Sequence, residues 1–219
     1  MSMHDEPLRK ILRRQAVLPI MMVHSVDAGV RIAESLLAGG LNLMEIPLRT
    51  VEGPAAIQAI RERLPEMSIG AGTLLRPEDF DRAEAAGAQF AISPGLDSPL
   101  AEAATRSRLP FLPGVQTASE VMTAIGFGFR TLKFYPARAA GGPGVLADFA
   151  SIFPDVLFVP TGKITQADVS EYLALRNVIS VGGSWVAPAD RIAAKDWPGI
   201  TRLAQQAARM RKAVPSGAR

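Results

Sequence analysis

Cysteine is absent from the 219-residue sequence, and histidine occurs only twice, as His4 and His24. Without cysteine the chain has no disulfide, no thiolate nucleophile, no iron–sulfur cluster and no thiolate zinc site. With one of the two histidines at the N-terminus, a histidine metal site or a Ser/His/Asp triad is not expected either. The sequence therefore predicts a chemistry that uses neither a bound metal nor a thiol.

Long hydrophobic runs are also absent. The longest stretch without a charged residue is 13 residues, at 177–189, whereas a helix needs about 20 apolar residues to span a bilayer. Residues 1–14 are charged and lead into no apolar core with a small-residue cleavage site, so we expect no secretory signal. These features predict a soluble, cytoplasmic protein with no membrane partner.

Aromatic residues make up only 6% of the chain, although the sequence is basic, with a net charge of +3. Much of the basic excess lies in the terminal segments 9–14 and 209–219, where it is typical of solvated helix faces. Basic and aromatic residues are not interleaved, so we expect no nucleic-acid partner. Lysine is scarce as well, and its five positions are Lys10, Lys133, Lys163, Lys195 and Lys212.

The sequence does contain a regular alternation of two patterns. Short apolar runs stopped by Gly or Pro predict buried parallel strands, at residues 17–23, 41–48, 68–72, 89–93, 110–114, 131–135, 157–160 and 178–182. Amphipathic segments between them predict helices, for example 27–38, 54–63, 77–86, 119–125 and 165–175.

Eight strand–helix units without an internal linker predict one α/β domain over residues 1–219, a single (β/α)8 TIM barrel. An extra N-terminal helix at about 1–15 and a basic C-terminal tail at about 206–219 would flank it. The alternative is an open doubly wound sheet, which normally binds a nucleotide through a glycine-rich turn after its first strand. Residues 23–26 read VHSV instead, and no GxxxxGK[ST] motif occurs elsewhere.

Charged residues inside or just after the predicted strands are few. Glu45 lies in the second strand and Arg49 follows four residues later, so the period of two places them on one face. Lys133 lies in the sixth strand, and Lys163 follows the seventh. Each one is also compatible with a salt bridge at the rim of the sheet. In a barrel, however, the carboxyl ends of the strands form the active site.

The combination of Lys133, Glu45 and Arg49 indicates a particular chemistry. An unpaired ammonium in a core costs several kcal/mol, so Lys133 must be exposed, paired or neutral. A neutral lysine suits Schiff-base formation with a ketone. Glu45 is then placed to move protons, and Arg49 offers a planar fork for a substrate carboxylate. Together they predict a substrate of the α-keto acid type.

Glycines cluster after the last two predicted strands, at 161–162 and 182–184. Backbone N–H groups exposed by glycine commonly hold phosphate at this place in barrels, so we favour phosphate binding over the alternative that these glycines only form tight turns. Other strand ends, at 70–73, 93–95 and 113–114, are predicted mainly as turns, with Thr73 able to add a hydroxyl to a carboxylate site.

Ordered motifs at these strand ends resemble the 2-keto-3-deoxy-6-phosphogluconate (KDPG) aldolases of the KDPG/KHG aldolase family. The motifs are EIPLRT at 45–50, GAGT at 70–73, QFAISPG at 89–95, LKFYPA at 132–137, PTG at 160–162 and GGSW at 182–185. The resemblance runs from about residue 11 to residue 205. It implies a class I aldolase that cleaves 2-dehydro-3-deoxy-6-phosphogluconate reversibly to pyruvate and D-glyceraldehyde 3-phosphate in the Entner–Doudoroff pathway.

The same resemblance implies a role for each site residue. Lys133 would form the Schiff base, Glu45 would transfer protons, and Arg49 and Thr73 would hold the pyruvate carboxylate. The pocket residues would be Pro94, Tyr135 and Thr161. The phosphate-binding residues would be Gly162, Lys163, Gly183 and Ser184. No metal or organic cofactor is implied, and the family's assembly implies a homotrimer.

Two positions depart from the family pattern. Lys163 replaces the second glycine of PTGG, and Arg138 stands where the family commonly has an acidic residue. If position 163 requires positive φ, a lysine there is strained and the phosphate site is weakened. If it does not, Lys163 adds a charge-assisted contact to phosphate. We favour the second interpretation, because the other phosphate elements are kept. Nothing in the sequence accounts for Arg138.

Other activities remain open at the level of sequence. With the same chemistry, the main substrate could instead be 4-hydroxy-2-oxoglutarate or 2-dehydro-3-deoxy-6-phosphogalactonate. The spacing of residues in the sequence does not distinguish these substrates from 2-dehydro-3-deoxy-6-phosphogluconate. A phosphosugar isomerase or epimerase on a similar barrel would use metal-bound histidines or a carboxylate pair. A non-catalytic barrel that binds a phosphorylated effector would leave Glu45, Arg49 and Lys133 without a purpose.

Overall fold

The computed structural model describes residues 5–210 of the chain. Short parallel strands alternate with helices along this whole range. The strands are β1 (Val17–Pro19), β2 (Leu43–Pro47), β3 (Ser68–Gly72), β4 (Phe90–Ile92), β5 (Phe111–Leu112), β6 (Gly114–Val115), β7 (Thr131–Phe134), β8 (Leu157–Pro160) and β9 (Val181–Gly183). Because only Pro113 separates β5 from β6, these two occupy one strand position, and there are eight positions in total.

The helices lie between the strands and at both ends of the described chain. They are α1 (Asp5–Leu12), α2 (Val26–Ala38), α3 (Gly53–Arg63), α4 (Glu78–Ala85), α5 (Ser98–Arg106), α6 (Ala118–Gly126), α7 (Gly142–Ile152), α8 (Val169–Leu173), α9 (Ala189–Ala193) and α10 (Trp197–Arg209). Local signals begin several of them. For example, the Ser25 hydroxyl accepts from the Ala28 N–H at the start of α2, and Thr117 and Glu120 form a capping box at α6.

Parallel pairing passes around all eight strand positions. Three ladders run in the orders β1–β9, β2–β3–β4–β5 and β6–β7–β8. Single bridges join them, Ile20 with Glu45 between β1 and β2, and Phe158 with Val178 between β8 and the segment before β9. The architecture is therefore the predicted (β/α)8 barrel, and not the open sheet, although the ladders do not merge into one uninterrupted sheet.

Alternation along the strands separates two cores. Inward-facing side chains fill the barrel, and those facing outward pack beneath the helices. The inner cluster comprises Leu8, Leu12, Leu18, Leu43, Phe90, Ile92, Leu112, Val159 and Ile179. Since Leu8 and Leu12 belong to α1, this helix closes the barrel at the amino ends of the strands. Arg9 fixes it there by donating from Nε to Thr131 Oγ1 over 2.8 Å.

The sequence-based boundaries hold for most elements, with three corrections. The first strand ends earlier than predicted, at Pro19 instead of residue 23. The last strand begins later than predicted, at Val181, after the bridge at Val178. The predicted tail is wrong at its start, because 206–209 are the final turn of α10, whose amphipathic pattern extends from Trp197. The rest of the tail, 211–219, and His4 lie outside the described residues. Among residues 5–210, no helix is long and apolar enough to cross a membrane.

Candidate active site

Lys133 and Glu45 both point into the barrel from the middle of strands. Lys133 lies in β7 opposite Gly114 of β6 and Val159 of β8. Glu45 lies in β2 opposite Gly70 of β3. Apolar residues around each charge give the strand its β-forming pattern, so both groups are held by rigid backbone rather than by loops.

The two charged groups form a buried pair. Lys133 Nζ lies 3.7 Å from Glu45 Oε1, and the side chains are 7% and 1% exposed. This is an ion-pair distance but too long for a hydrogen bond, and neither Glu45 oxygen has a hydrogen-bond partner within residues 5–210. Burial raises the pKa of Glu45, and the charge of Lys133 offsets part of this shift. Burial therefore favours the protonated form of the Glu45 carboxyl group more than water does, and the charge of Lys133 opposes this preference.

A glycine provides the space for the Glu45 carboxyl group. A Cβ atom on Gly72 would lie 1.9 Å from Glu45 Oε1, well inside van der Waals contact. Gly72 ends β3, beside the strand that carries Glu45, and its φ angle is ordinary, so it is close approach rather than backbone conformation that requires glycine. From the sequence alone, this glycine was predicted only as part of a turn.

Tyr135 lies beside the lysine, and Pro94 lies against the neighbouring strand at Gly114. Lys133 Nζ lies 5.5 Å from the centre of the Tyr135 ring, within range of a cation–π interaction. Pro94 contacts β6 so closely that a Cβ atom on Gly114 would lie 2.2 Å from its carbonyl carbon. The buried Ser93 hydroxyl fixes this turn by donating to the Gly95 carbonyl over 2.6 Å.

Arg49 and Thr73 follow neighbouring strands at the same end of the barrel. The Leu48 N–H donates to the Gly72 carbonyl over 2.8 Å, which brings the two strand ends together. Thr73 adopts a φ angle of 61°, an unusual conformation for a β-branched residue. The Arg49 side chain is exposed and has no hydrogen bond or ion pair with another described residue. Such a guanidinium is free to bind an anion.

The predicted phosphate loop after β8 adopts positive φ angles at two successive residues. Gly162 has φ 117° and Lys163 has φ 54°. The premise of our favoured interpretation, that position 163 needs no positive φ, is therefore wrong, whereas the contact of Lys163 with phosphate stays a prediction. The left-handed conformation costs a residue with a Cβ atom roughly 1–2 kcal/mol. Lys163 therefore adopts a backbone conformation that is unfavourable for a lysine.

A cavity of about 840 Å³ lies beside this loop. Its walls include two of the four predicted phosphate-binding residues, Lys163 and Ser184, but not Gly162 or Gly183. The indole of Trp185 covers Gly183, since a Cβ atom there would lie 2.7 Å from Trp185 Nε1. Thr161 packs against Gly182 and is less than one-tenth exposed.

The cavity wall also contains residues that were not predicted to bind substrate, among them His24, Arg138 and Trp185. Their positions in the sequence did not indicate a shared cavity, because they come from loops that follow three different strands. Among residues 5–210 there is no group of three or more His, Asp or Glu side chains that could hold a metal ion.

Comparison with known proteins gives concordant results. A family model described as KDPG and KHG aldolase matches residues 8–203. The KHG/KDPG aldolase of Escherichia coli K12 is 44% identical over 197 residues, covering 90% of this chain and 92% of the relative. The 2-dehydro-3-deoxy-phosphogluconate aldolase of Pseudomonas aeruginosa is 41% identical over 197 residues, covering 90% of each protein.

Solved structures of similar proteins share the whole fold. KDPG aldolase from Legionella pneumophila, captured with pyruvate as a covalent carbinolamine intermediate, has a TM-score of 0.90 and 38% identity, covering 93% of this chain and 98% of its own. The Zymomonas mobilis ZM4 enzyme, solved with 3-phosphoglycerate, also has a TM-score of 0.90 and 38% identity, covering 97% of this chain and 99% of its own.

Proposed function

This chain belongs to the KDPG and KHG aldolase family, and from that membership we propose that Lys133 and Glu45 cleave 2-dehydro-3-deoxy-6-phosphogluconate by Schiff-base chemistry. The products are pyruvate and D-glyceraldehyde 3-phosphate, and the reaction is reversible. The enzyme is a carbon–carbon lyase of the aldehyde-lyase class. The observation that carries the proposal is the buried pair of Lys133 Nζ and Glu45 Oε1, 3.7 Å apart at the centre of the barrel.

The reaction begins with the free amine of Lys133, which adds to the C2 carbonyl carbon of the substrate. The resulting carbinolamine loses water to give an iminium. The C3–C4 bond then breaks, and its electron pair enters the iminium to form an enamine, while the C4 hydroxyl loses its proton and becomes the aldehyde. Protonation of the enamine at C3 and hydrolysis of the new iminium release pyruvate and restore the amine.

Glu45 transfers the protons that these steps require. Its raised pKa allows it to give a proton to the departing water and later to accept one from the C4 hydroxyl. Its two oxygens have no hydrogen-bond partner among residues 5–210, so both are available to the substrate and to water. The position beside Lys133 explains how one carboxyl group serves several successive steps.

The other predicted residues bind the two ends of the substrate. Arg49 and Thr73 take the C1 carboxylate, since they lie at neighbouring strand ends and Arg49 is unpaired there. Pro94, Tyr135 and Thr161 line the space between the ends. The phosphate lies in the loop region of Gly162, Lys163, Gly183 and Ser184.

Trapping with pyruvate and borohydride tests this assignment. Borohydride reduces the iminium, so we expect one pyruvate-derived adduct per chain, on Lys133, by intact mass and peptide mapping. Lys133→Met should lose the adduct, and Lys10→Met, which removes an exposed lysine of α1, should keep it. Glu45→Gln should retain more trapping than turnover. An adduct confined to Lys163, or none, overturns the proposal.

The chain's cellular setting is also part of the proposal. We place it in the cytoplasm, in the Entner–Doudoroff pathway, as a homotrimer that requires no metal or organic cofactor and binds no nucleic acid. We further propose activity on 4-hydroxy-2-oxoglutarate, because the similar Escherichia coli protein is named for both substrates. Comparison of kcat/KM for the two substrates measures this second activity. No observation favours the isomerase or epimerase alternative.

A further inference from the structure

The cavity beside the β8 loop is positively charged, and Arg138 contributes to this charge. Its lining contains the cationic side chains of Lys163 and Arg138 together with His24, and it contains no aspartate or glutamate. The remaining walls are mostly apolar, for example Met21, Ile164 and Ile192. Two cations in a wall that itself contains no carboxylate favour an anionic occupant.

Backbone contacts place Arg138 next to the β8 loop. The Ala137 N–H donates to the Thr161 carbonyl over 2.8 Å. Gly162 lies against the same turn, since a Cβ atom there would be 3.1 Å from Pro136 Cα. The residues that immediately follow, Arg138 and Lys163, therefore enter the cavity wall from two adjoining loops. Their proximity results from the tertiary fold and not from spacing along the chain.

Asp168 lies close to Arg138 but does not take up its hydrogen-bond donors. Asp168 Oδ2 accepts from both the N–H and the hydroxyl of Thr165 over 2.8 Å, which fixes the carboxylate. Arg138 Nη1 lies 3.9 Å from the same oxygen, beyond hydrogen-bond distance. With 65% of its side chain exposed, Arg138 keeps its donors available. An exposed ion pair of this length contributes little to stability, so the contact alone gives no reason for an arginine here.

We infer that Arg138 is a specificity-determining residue, which together with Lys163 selects substrates with a phosphorylated tail, and that Asp168 is its positioning residue. This inference rests on the proposed function, because it concerns the phosphate end of the same substrate. A phosphate dianion bridging two loops gains a charge-assisted contact from each. The charge of Arg138 thereby strengthens phosphate binding at a loop whose backbone is strained at Lys163.

Substrate selectivity tests the inference. In Arg138→Gln, we expect KM for the phosphorylated substrate to rise about three- to tenfold, within the range for losing one typical hydrogen bond, with kcat unchanged. KM for unphosphorylated 2-dehydro-3-deoxygluconate should stay the same. Arg138→Lys should recover part of the loss, and Asp168→Asn should show a smaller rise. Arg106→Gln, which removes an exposed arginine of α5, is the matched control.

Binding of inorganic phosphate gives an independent measurement. By calorimetry, the dissociation constant of phosphate should rise in Arg138→Gln by the same factor as KM. Equal changes for both substrates, or unchanged phosphate binding, would show that Arg138 only pairs with Asp168 and would overturn the inference. If the unaltered chain fails to trap pyruvate at Lys133, the proposed function fails separately, because phosphate binding does not depend on the Schiff base.

Discussion

At the scale of single residues, the site depends on departures from what strands and loops normally tolerate. Glu45 is a carboxyl group enclosed in the barrel, and burial raises its pKa. Lys163 and Thr73 are side chains held at positive φ. Each departure costs free energy that the surrounding fold must supply, and such residues concentrate where function requires them.

Gly72→Ala should impair catalysis by displacing the carboxyl group of Glu45. The added methyl group would lie 1.9 Å from Oε1, so Glu45 must turn away from Lys133. We expect kcat to fall by at least tenfold, as is typical when a proton-transfer group is misplaced, while the trapped adduct still forms. Gly95→Ala is the control, since nothing lies within 4 Å of its added Cβ atom. Equal kcat values in both variants would contradict the geometry.

Lys163 combines a strained backbone with a useful charge, and two substitutions separate these effects. Lys163→Gly relieves the positive φ but removes the charge, whereas Lys163→Asn removes the charge and still tolerates the left-handed region. We expect both variants to raise KM for the phosphorylated substrate by a similar factor, measured by steady-state kinetics. If KM equals that of the parent chain, Lys163 does not contact phosphate.

At the scale of elements, α1 closes the barrel at the end opposite the site. Leu8 and Leu12 are fully buried in the inner core. The helix is fixed by Arg9, which donates to Thr131 at the start of the strand that carries Lys133. The helix therefore holds the amino end of the strand that carries Lys133, although it contributes no residue to the site.

Leu12→Ala should lower stability with little effect on chemistry. Loss of a buried leucine typically reduces the free energy of unfolding by about 2–5 kcal/mol, whereas Lys10→Ala on the exposed side of α1 should change it by less than about 0.5 kcal/mol. Urea denaturation measures both. Under native conditions we expect Leu12→Ala to trap pyruvate normally; loss of trapping in the folded variant would show that α1 also shapes the site.

At the scale of the whole molecule, large apolar side chains remain exposed on the single chain. Val51 is 93% exposed, Met122 64% and Leu75 60%. Two of these follow the strands that carry Glu45 and Gly72, so they lie around the mouth of the barrel. An exposed apolar surface of this kind is consistent with association of subunits.

We expect a particle of three times the 23.3 kDa chain mass in solution, measured by light scattering after size-exclusion chromatography. Leu75→Lys, outside the proposed catalytic and binding residues, should weaken this assembly, because a charge buried at an interface is unfavourable. Glu66→Lys, a comparable change at an exposed polar position, is the control. A monomeric parent chain would contradict the trimer.

Much of the fold and of the site was predictable, for identifiable reasons. Strands at 68–72 and 157–160 agree with the structure residue by residue, since short apolar runs between turn residues have few alternatives. Lys133 was conspicuous because it is a lone charge in such a run. The start of the predicted basic tail at about 206 was wrong, because 206–209 belong to α10, and only packing against α2 distinguishes such a helix end from a solvated tail.

The sequence by itself determined the order of strands and helices, the lack of thiol chemistry and the residue types of the site, because each depends on local pattern and composition. Only the tertiary structure decided the 3.7 Å approach of Lys133 to Glu45, the positive φ of Lys163 and the place of Arg138 beside it. These features depend on distances between residues that are remote in the chain. The barrel sets those distances when its strands pair and its loops meet.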